Sequence, residues 1–137
     1  KENGKNGFFI MMDVDSFKKI NDRYGHPTGD RVLKEIAGYL RDIFADKGIV
    51  GRLGGDEFVV LICDGVEKEE LETLIGRFRR RIKNIRMQNG NVTCSIGVTP
   101  VKKGLSVEKL YRSADQLLYE AKKEGKNQVV FGCQPGK

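Results

Sequence analysis

The sequence predicts an α/β (α+β) sandwich, a central mixed, largely antiparallel five-stranded sheet flanked by helices. Three observations carry this. The periodicities succeed one another as strand, helix, helix, strand, strand, helix, strand, helix, strand. The fourth and fifth elements form a hairpin about Gly54-Gly55, which a purely parallel sheet would not contain. Helices separate the other strands as crossover connections. At 137 residues the chain makes one domain with a proper core. Residues 8–131 are assigned to it, 1–7 to a linker remnant and 132–137 to a C-terminal tail.

Phe8 to Met12 is a continuous apolar run, as a strand buried on both faces requires, and it leads directly into Asp13-Val14-Asp15. Ser16 to Tyr24 reads as a short helix that Gly25-His26-Pro27 breaks. Thr28 is the expected N-cap of a longer helix to about Phe44, with Val32, Leu33, Ile36, Ala37, Leu40, Ile43 and Phe44 at helical spacing. Ile49 to Leu53 and Phe58 to Cys63 are the hairpin arms. Glu67 to about Arg86 is a third amphipathic helix, whose outer face carries Arg77, Arg79, Arg80, Arg81, Lys83 and Arg86. That run reads first as a solvated face and second as a nucleic-acid or membrane surface. Val92 to Val98 is a strand with Gly97 inside it. Ser106 caps a last helix through about Lys123, burying Val107, Leu110, Tyr111, Ala114, Leu117, Leu118 and Ala121. Gly125 ends it, and Val129 to Phe131 is the final strand.

The formal charge of +6, from 25 Lys plus Arg against 19 Asp plus Glu, favours anionic partners. Three widely spaced cysteines, Cys63, Cys94 and Cys133, exclude a disulfide framework and a C-x-x-C zinc site. They read as mostly buried thiols of a cytoplasmic protein, any membrane anchor lying outside this stretch. His26 is the only histidine, so a histidine-rich metal centre is excluded. No apolar run approaches the ~20 residues of a membrane span. The start at Lys1 without methionine reads as a piece of a longer chain.

Chemistry concentrates at two strand ends. Asp13 and Asp15 point the same way if the strand continues through them. Asp56 and Glu57 follow the hairpin glycines. With the hairpin beside the first strand, these four acids converge at one sheet edge, where their repulsion calls for a cation. An all-oxygen set suits Mg²⁺ before Zn²⁺, with water and substrate phosphates completing the shell. A pair of such ions would serve phosphoryl or nucleotidyl transfer. No Walker-type phosphate loop occurs.

These blocks resemble the GGDEF family of diguanylate cyclases, which condense two GTP into cyclic di-GMP. The signature stands as Gly54-Gly55-Asp56-Glu57-Phe58. Upstream, Asp13 to Asp30 follows the family's D-x-D-x-F-K-x-x-N-D-x-x-G-H-x-x-G-D block; downstream, Thr93 to Val98 and Ala114 to Asn127 match two more. The resemblance covers about Phe8 to Phe131 and implies a fold like the nucleotidyl cyclase/polymerase palm. It implies Asp13, Asp56 and the Val14 carbonyl as metal ligands, for two Mg²⁺ per site with Mn²⁺ an alternative. It implies Asp56, with Glu57 beside it, as the group that helps deprotonate the attacking 3′-hydroxyl. Asn21 and Asp30 become guanine readers, with His26 lining the same pocket. Lys122 and Lys126 become phosphate clamps, assisted by Lys18 and the backbone near Phe17. The implied partners are GTP, a second copy during catalysis and an upstream sensory or regulatory domain, with no nucleic acid.

Each residue also has a structural alternative. Asp30 reads as an acid stabilising a helix N-terminus, Lys122 and Lys126 as cations near a helix C-terminus, Asn21 and His26 as caps of the helix break. A catalytically silent GTP- or cyclic di-GMP-binding domain and a polymerase-like or nuclease domain are the rival functions. Three departures from the family stand out. Its product-inhibition motif R-x-x-D falls on Ala45-Asp46-Lys47-Gly48, without the arginine or the aspartate at their positions, so no product-inhibition site is expected there. Lys126 stands where arginine is common, losing a bidentate fork. The N-terminal L-T-G-L-x-N-R segment is absent.

Overall fold

The computed structural model describes residues 7–63 and 65–132. Its elements are β1 (Gly7–Val14), α1 (Phe17–Tyr24), α2 (His26–Phe44), β2 (Gly48–Gly54), β3 (Glu57–Ile62), α3 (Lys68–Lys83), β4 (Cys94–Val101), α4 (Val107–Lys123) and β5 (Val129–Phe131). The strands form one sheet in the order β2-β3-β1-β4-β5. β1 lies between β3 and β4, antiparallel to both, and only β4–β5 is parallel. The mixed five-stranded sheet expected from the sequence is therefore present, with β1 at its centre.

Alternation along β1 sorts its side chains. Phe8, Ile10, Met12 and Val14 face a large core shared with α1, α2 and α3, including Ile36, Leu40, Phe44, Leu71 and Phe78. The opposite face is thinner: Met11 packs with Ala114 and Leu118 of α4, and Phe9 and Val59 are half-buried against them. Gly97 is what lets α4 lie so close. A Cβ there would sit 2.5 Å from the Leu118 nitrogen and 2.6 Å from the Ala114 oxygen, so any side chain would lift the helix.

Several boundaries differ from expectation. α2 begins at His26, not after a Thr28 cap. Gly25, at φ 94°, turns the chain between the two helices in a single residue, and Pro27 sits in the first turn of α2. Proline is tolerated there because its missing N–H would have no helical partner anyway. Gly7 belongs to β1, not to a linker; residues 1–6 and the tail from Cys133 lie outside the described residues. β4 starts at Cys94, and α3 stops at Lys83 although Ile85 remains buried. Val107 and Tyr111, expected to be buried, are 81% and 42% exposed. Cys94 is buried, but Cys63 is exposed. No helix among the described residues is long and apolar enough to cross a membrane.

Candidate active site

The site lies at the end of β1 that the hairpin tip meets. Asp13 stands opposite Glu57 across the β1–β3 ladder and opposite Ser95 across β1–β4. One residue further, the Val14 N–H donates to the Asp56 carbonyl at 3.2 Å, fastening the tip to the strand. Gly55 takes φ 46°, a left-handed turn that glycine enters without steric cost. Arg52 clasps that turn: its Nε donates to the Gly55 carbonyl at 2.9 Å, and its guanidinium lies 6.0 Å from the Phe58 ring centroid. Sequence reasoning missed Arg52.

Asp13 is 6% exposed. Lys122 of α4 pairs with its Oδ2, while Oδ1 is buried with no hydrogen-bond partner. Burial pushes the Asp13 carboxyl above its ordinary 3.8; the Lys122 contact pulls it back in part, and the charges of Asp56 and Asp15 push it up again. Burial, then the Asp13 charge, likewise raises Glu57 above 4.5. For Lys122 burial acts downward, but Asp13, Asp56 and Glu57 together outweigh it and hold the ammonium charged beyond its ordinary 10.5. The pocket is thus negative overall, even with Lys122 in place.

Asp15 does not join this acid group as expected. Its Oδ1 accepts from Ser95 Oγ at 2.6 Å, and its Oδ2 from Thr93 Oγ1 at 2.6 Å and the Asn127 N–H at 2.9 Å. Among the described residues no group of three or more His, Cys, Asp or Glu is poised around a common metal position. Asp13, Asp56 and Glu57 remain at this end of β1, and the ligand set that the resemblance implies is Asp13, Asp56 and the Val14 carbonyl. That set fits Mg²⁺, which takes one or two carboxylates and leaves the rest of its shell to water and phosphate. The unpartnered Asp13 Oδ1 is a buried oxygen for which a cation would compensate.

The other expected site residues distribute along α1, α2 and the α4–β5 loop. The Asn21 Oδ1 is also buried without a partner, and it crowds the Cα of Gly29 so closely that a Cβ there would overlap it. The same Cβ would come within 3.1 Å of the Phe17 ring, so Phe17, Asn21 and Gly29 form one nook. Asp30 lies one residue on, exposed, in a cleft of about 370 Å³ that Leu33, Lys34, Ala37, Arg41 and the hairpin's Arg52 also line. Lys126 reaches Ser16 Oγ at 3.3 Å, beside the start of α1. Lys18 and His26 are exposed, and neither side chain makes a hydrogen bond or ion pair among the described residues.

Fold and site together define a palm-type domain whose central strand and neighbouring hairpin bring carboxylates to one edge. The family model "Diguanylate cyclase, GGDEF domain" matches residues 1–128, and the chain belongs to that family. It is 38% identical over 128 residues to the probable diguanylate cyclase DgcT of Escherichia coli, covering 88% of this chain and 28% of that protein. It resembles the structure of the active GGEEF domain of a diguanylate cyclase from Vibrio cholerae, with TM-score 0.84 and 31% identity over 97% of this chain and 86% of that one. The GGDEF domain of DgcB from Caulobacter crescentus in complex with c-di-GMP aligns with TM-score 0.85 and 28% identity, over 95% and 80% of the two chains. The chain spans only 28% to 40% of the length of the diguanylate cyclases DgcT and DgcS it matches.

Proposed function

We propose that this domain is a diguanylate cyclase. The observation that supports the reading is the 3.2 Å backbone tie between Val14 and Asp56, together with the Asp56 charge acting on a buried Asp13 carboxyl whose Oδ1 has no partner. Each subunit binds one GTP. The Asn21 amide and the Asp30 carboxylate read the guanine edge, since a carboxylate accepts from N1–H and N2–H₂ together. His26 lines the same pocket, and Lys18 and the backbone near Phe17 assist at the phosphates. Lys126 and Lys122 clamp the phosphates.

Asp13, the Val14 carbonyl and Asp56 would hold Mg²⁺, two ions per site with Mn²⁺ as a substitute. Bound Mg²⁺ supplies charge neutralisation at the attacking and leaving oxygens. Two copies then face each other across a two-fold axis. Each 3′-oxygen forms a bond to the α-phosphorus of the other GTP, the α–β anhydride bond breaks, and pyrophosphate leaves. The Asp56 carboxylate takes the hydroxyl proton, with Glu57 beside it. The surrounding acids outweigh burial and keep Lys122 charged for the phosphates it meets. Catalysis here is positioning plus fixed electrostatics.

Product does not inhibit through the R-x-x-D position. Gly48 packs so tightly on the Leu61 carbonyl that a Cβ there would overlap it, leaving no room for an aspartate. The test is incubation of concentrated protein with GTP and Mg²⁺ and separation of the products. Cyclic di-GMP and pyrophosphate are expected, with Asp56→Ala giving no cyclic product at unchanged folding. GTP bound but never converted would replace this reading with that of a silent receptor.

A further inference from the structure

Asp15 sits two residues from Asp13 and has a different employment. Its two oxygens accept three hydrogen bonds, from Ser95 and Thr93 beside β1 and from the Asn127 backbone, 112 residues away in sequence. The segment it reaches is strained: Lys126 and Asn127 have φ of 66° and 52°, and Ser16, next to Asp15, has φ of 54°. Non-glycine residues hold such angles only where their surroundings over-determine them. Here the surroundings can be named. Asp15 holds the Asn127 N–H; Arg79 of α3 donates to the Asn127 carbonyl at 2.9 Å and to its Oδ1 at 3.2 Å; Lys126 reaches Ser16 Oγ.

We infer that Asp15 is a positioning residue, a latch that fixes the 126–127 turn against the β1–α1 junction so that Lys126 and the Ser16–Phe17 backbone face one phosphate group. The inference rests on the GTP-binding reading above and adds to it what sets the clamp. Asp15 does this from behind, since its own lone pairs are spent within the protein.

Asp15→Ala isolates the latch. The Thr93 and Ser95 hydroxyls can turn to other partners, but the Asn127 N–H can only donate and loses its acceptor, which an asparagine oxygen would still provide. Affinity for GTP, measured by calorimetry with Ca²⁺ to block turnover, is expected to fall about tenfold, the scale of one hydrogen bond to a charged group. Asn127 amide exchange should accelerate. In a Lys126→Ala background the same change is expected to cost about twofold or less, because the clamp it positions is gone. Should Asp15→Ala not fold, Thr93→Val, which removes one neighbouring bond to the same oxygen, is expected to weaken GTP about threefold. A folded Asp15→Ala protein with wild-type affinity overturns the latch alone, as does an equal loss with and without Lys126. Wild-type protein with no affinity for GTP overturns the functional reading and the latch together.

Discussion

The two faces of the sheet divide the labour of this domain. Towards α1, α2 and α3, Ile10, Ile36, Leu40, Phe44, Val60, Leu71 and Phe78 are completely buried, with no charged side chain among them. Towards α4 the packed cluster is Met11, Ala114 and Leu118, and along that face the β1 side chains end at the acid group. Burying a large apolar side chain contributes about 1.5–3 kcal/mol, so the first face supplies most of the stability. The second can carry Asp13 beside Asp56 and Glu57, a costly arrangement, because little of the fold depends on it. The charge repulsion of this domain thus sits on the face that contributes less to its stability.

The strongest way to break this contrast is Phe78→Ala. The ring is 0% exposed under α3, and its loss is expected to cost about 3–5 kcal/mol in chemical denaturation, without touching any site residue. A cost below about 1 kcal/mol would show that stability does not reside on that face.

The acid edge gives the next effect, and its sign is opposite. Below its ordinary 4.5, Glu57 is protonated whether the chain is folded or not. Between 4.5 and its raised folded value the unfolded chain sheds the proton first, so stability falls as pH rises and the deficit persists above. Asp13 behaves the same way from 3.8. Lys122 adds stability that is complete below 10.5 and lost only as pH rises through its higher folded value. In metal-free buffer Glu57→Gln is therefore expected to melt above wild type at neutral pH, the gap closing towards about pH 4. Mg²⁺ should then raise the wild-type melting temperature, as a ligand of the folded state. A wild type more stable than Glu57→Gln at pH 7 without metal would contradict the assigned strain.

Much of this was legible in the sequence, for a physical reason. The succession of strands and helices and the hairpin follow from period-2 and period-3.6 patterns and a Gly-Gly turn, all local signals. What escaped depended on contacts distant in the chain. Asp15 read as a fourth convergent acid because strand alternation gives direction but not hydrogen-bond partners, and those came from residues 93, 95 and 127. The hydroxyls of Thr93 and Ser95, spaced by two at the start of a strand, were the available hint. Arg52 gave no signal beyond its place before the glycines. Val107 and Tyr111 follow the helical spacing of the core and are nevertheless exposed, because periodicity names a face without saying what covers it.

The cap of α4 tests the thin face more gently. Ser106 Oγ accepts from the Lys109 N–H at 3.1 Å, and Ser106→Ala is expected to lower stability by about 1 kcal/mol. GTP turnover should hold, since Lys122 lies at the far end of the helix. A loss of activity with stability intact would mean that α4 positions Lys122 through its whole length.

The smallest effect separates the cations of α3 that were read together as one basic face. Arg81 lies 4.3 Å from the Tyr39 ring centroid and pairs with Asp42 at 3.5 Å, and Arg79 holds Asn127. Arg77 and Arg80 are exposed, and their side chains make no hydrogen bond or ion pair among the described residues. Arg80→Ala is expected to change stability by less than about 0.5 kcal/mol and to leave GTP affinity as it was. Arg79→Ala is expected to cost on the order of 1 kcal/mol and to weaken GTP modestly, because it loosens Asn127 from the side opposite Asp15. If both arginines proved equally silent, the helix would be a solvated face throughout and Asp15 would hold the turn alone. If Arg80→Ala lowered affinity as much as Arg79→Ala, the face would act through bulk charge, and 0.5 M salt should then abolish the difference from wild type, the Debye length being only a few ångströms at such ionic strength.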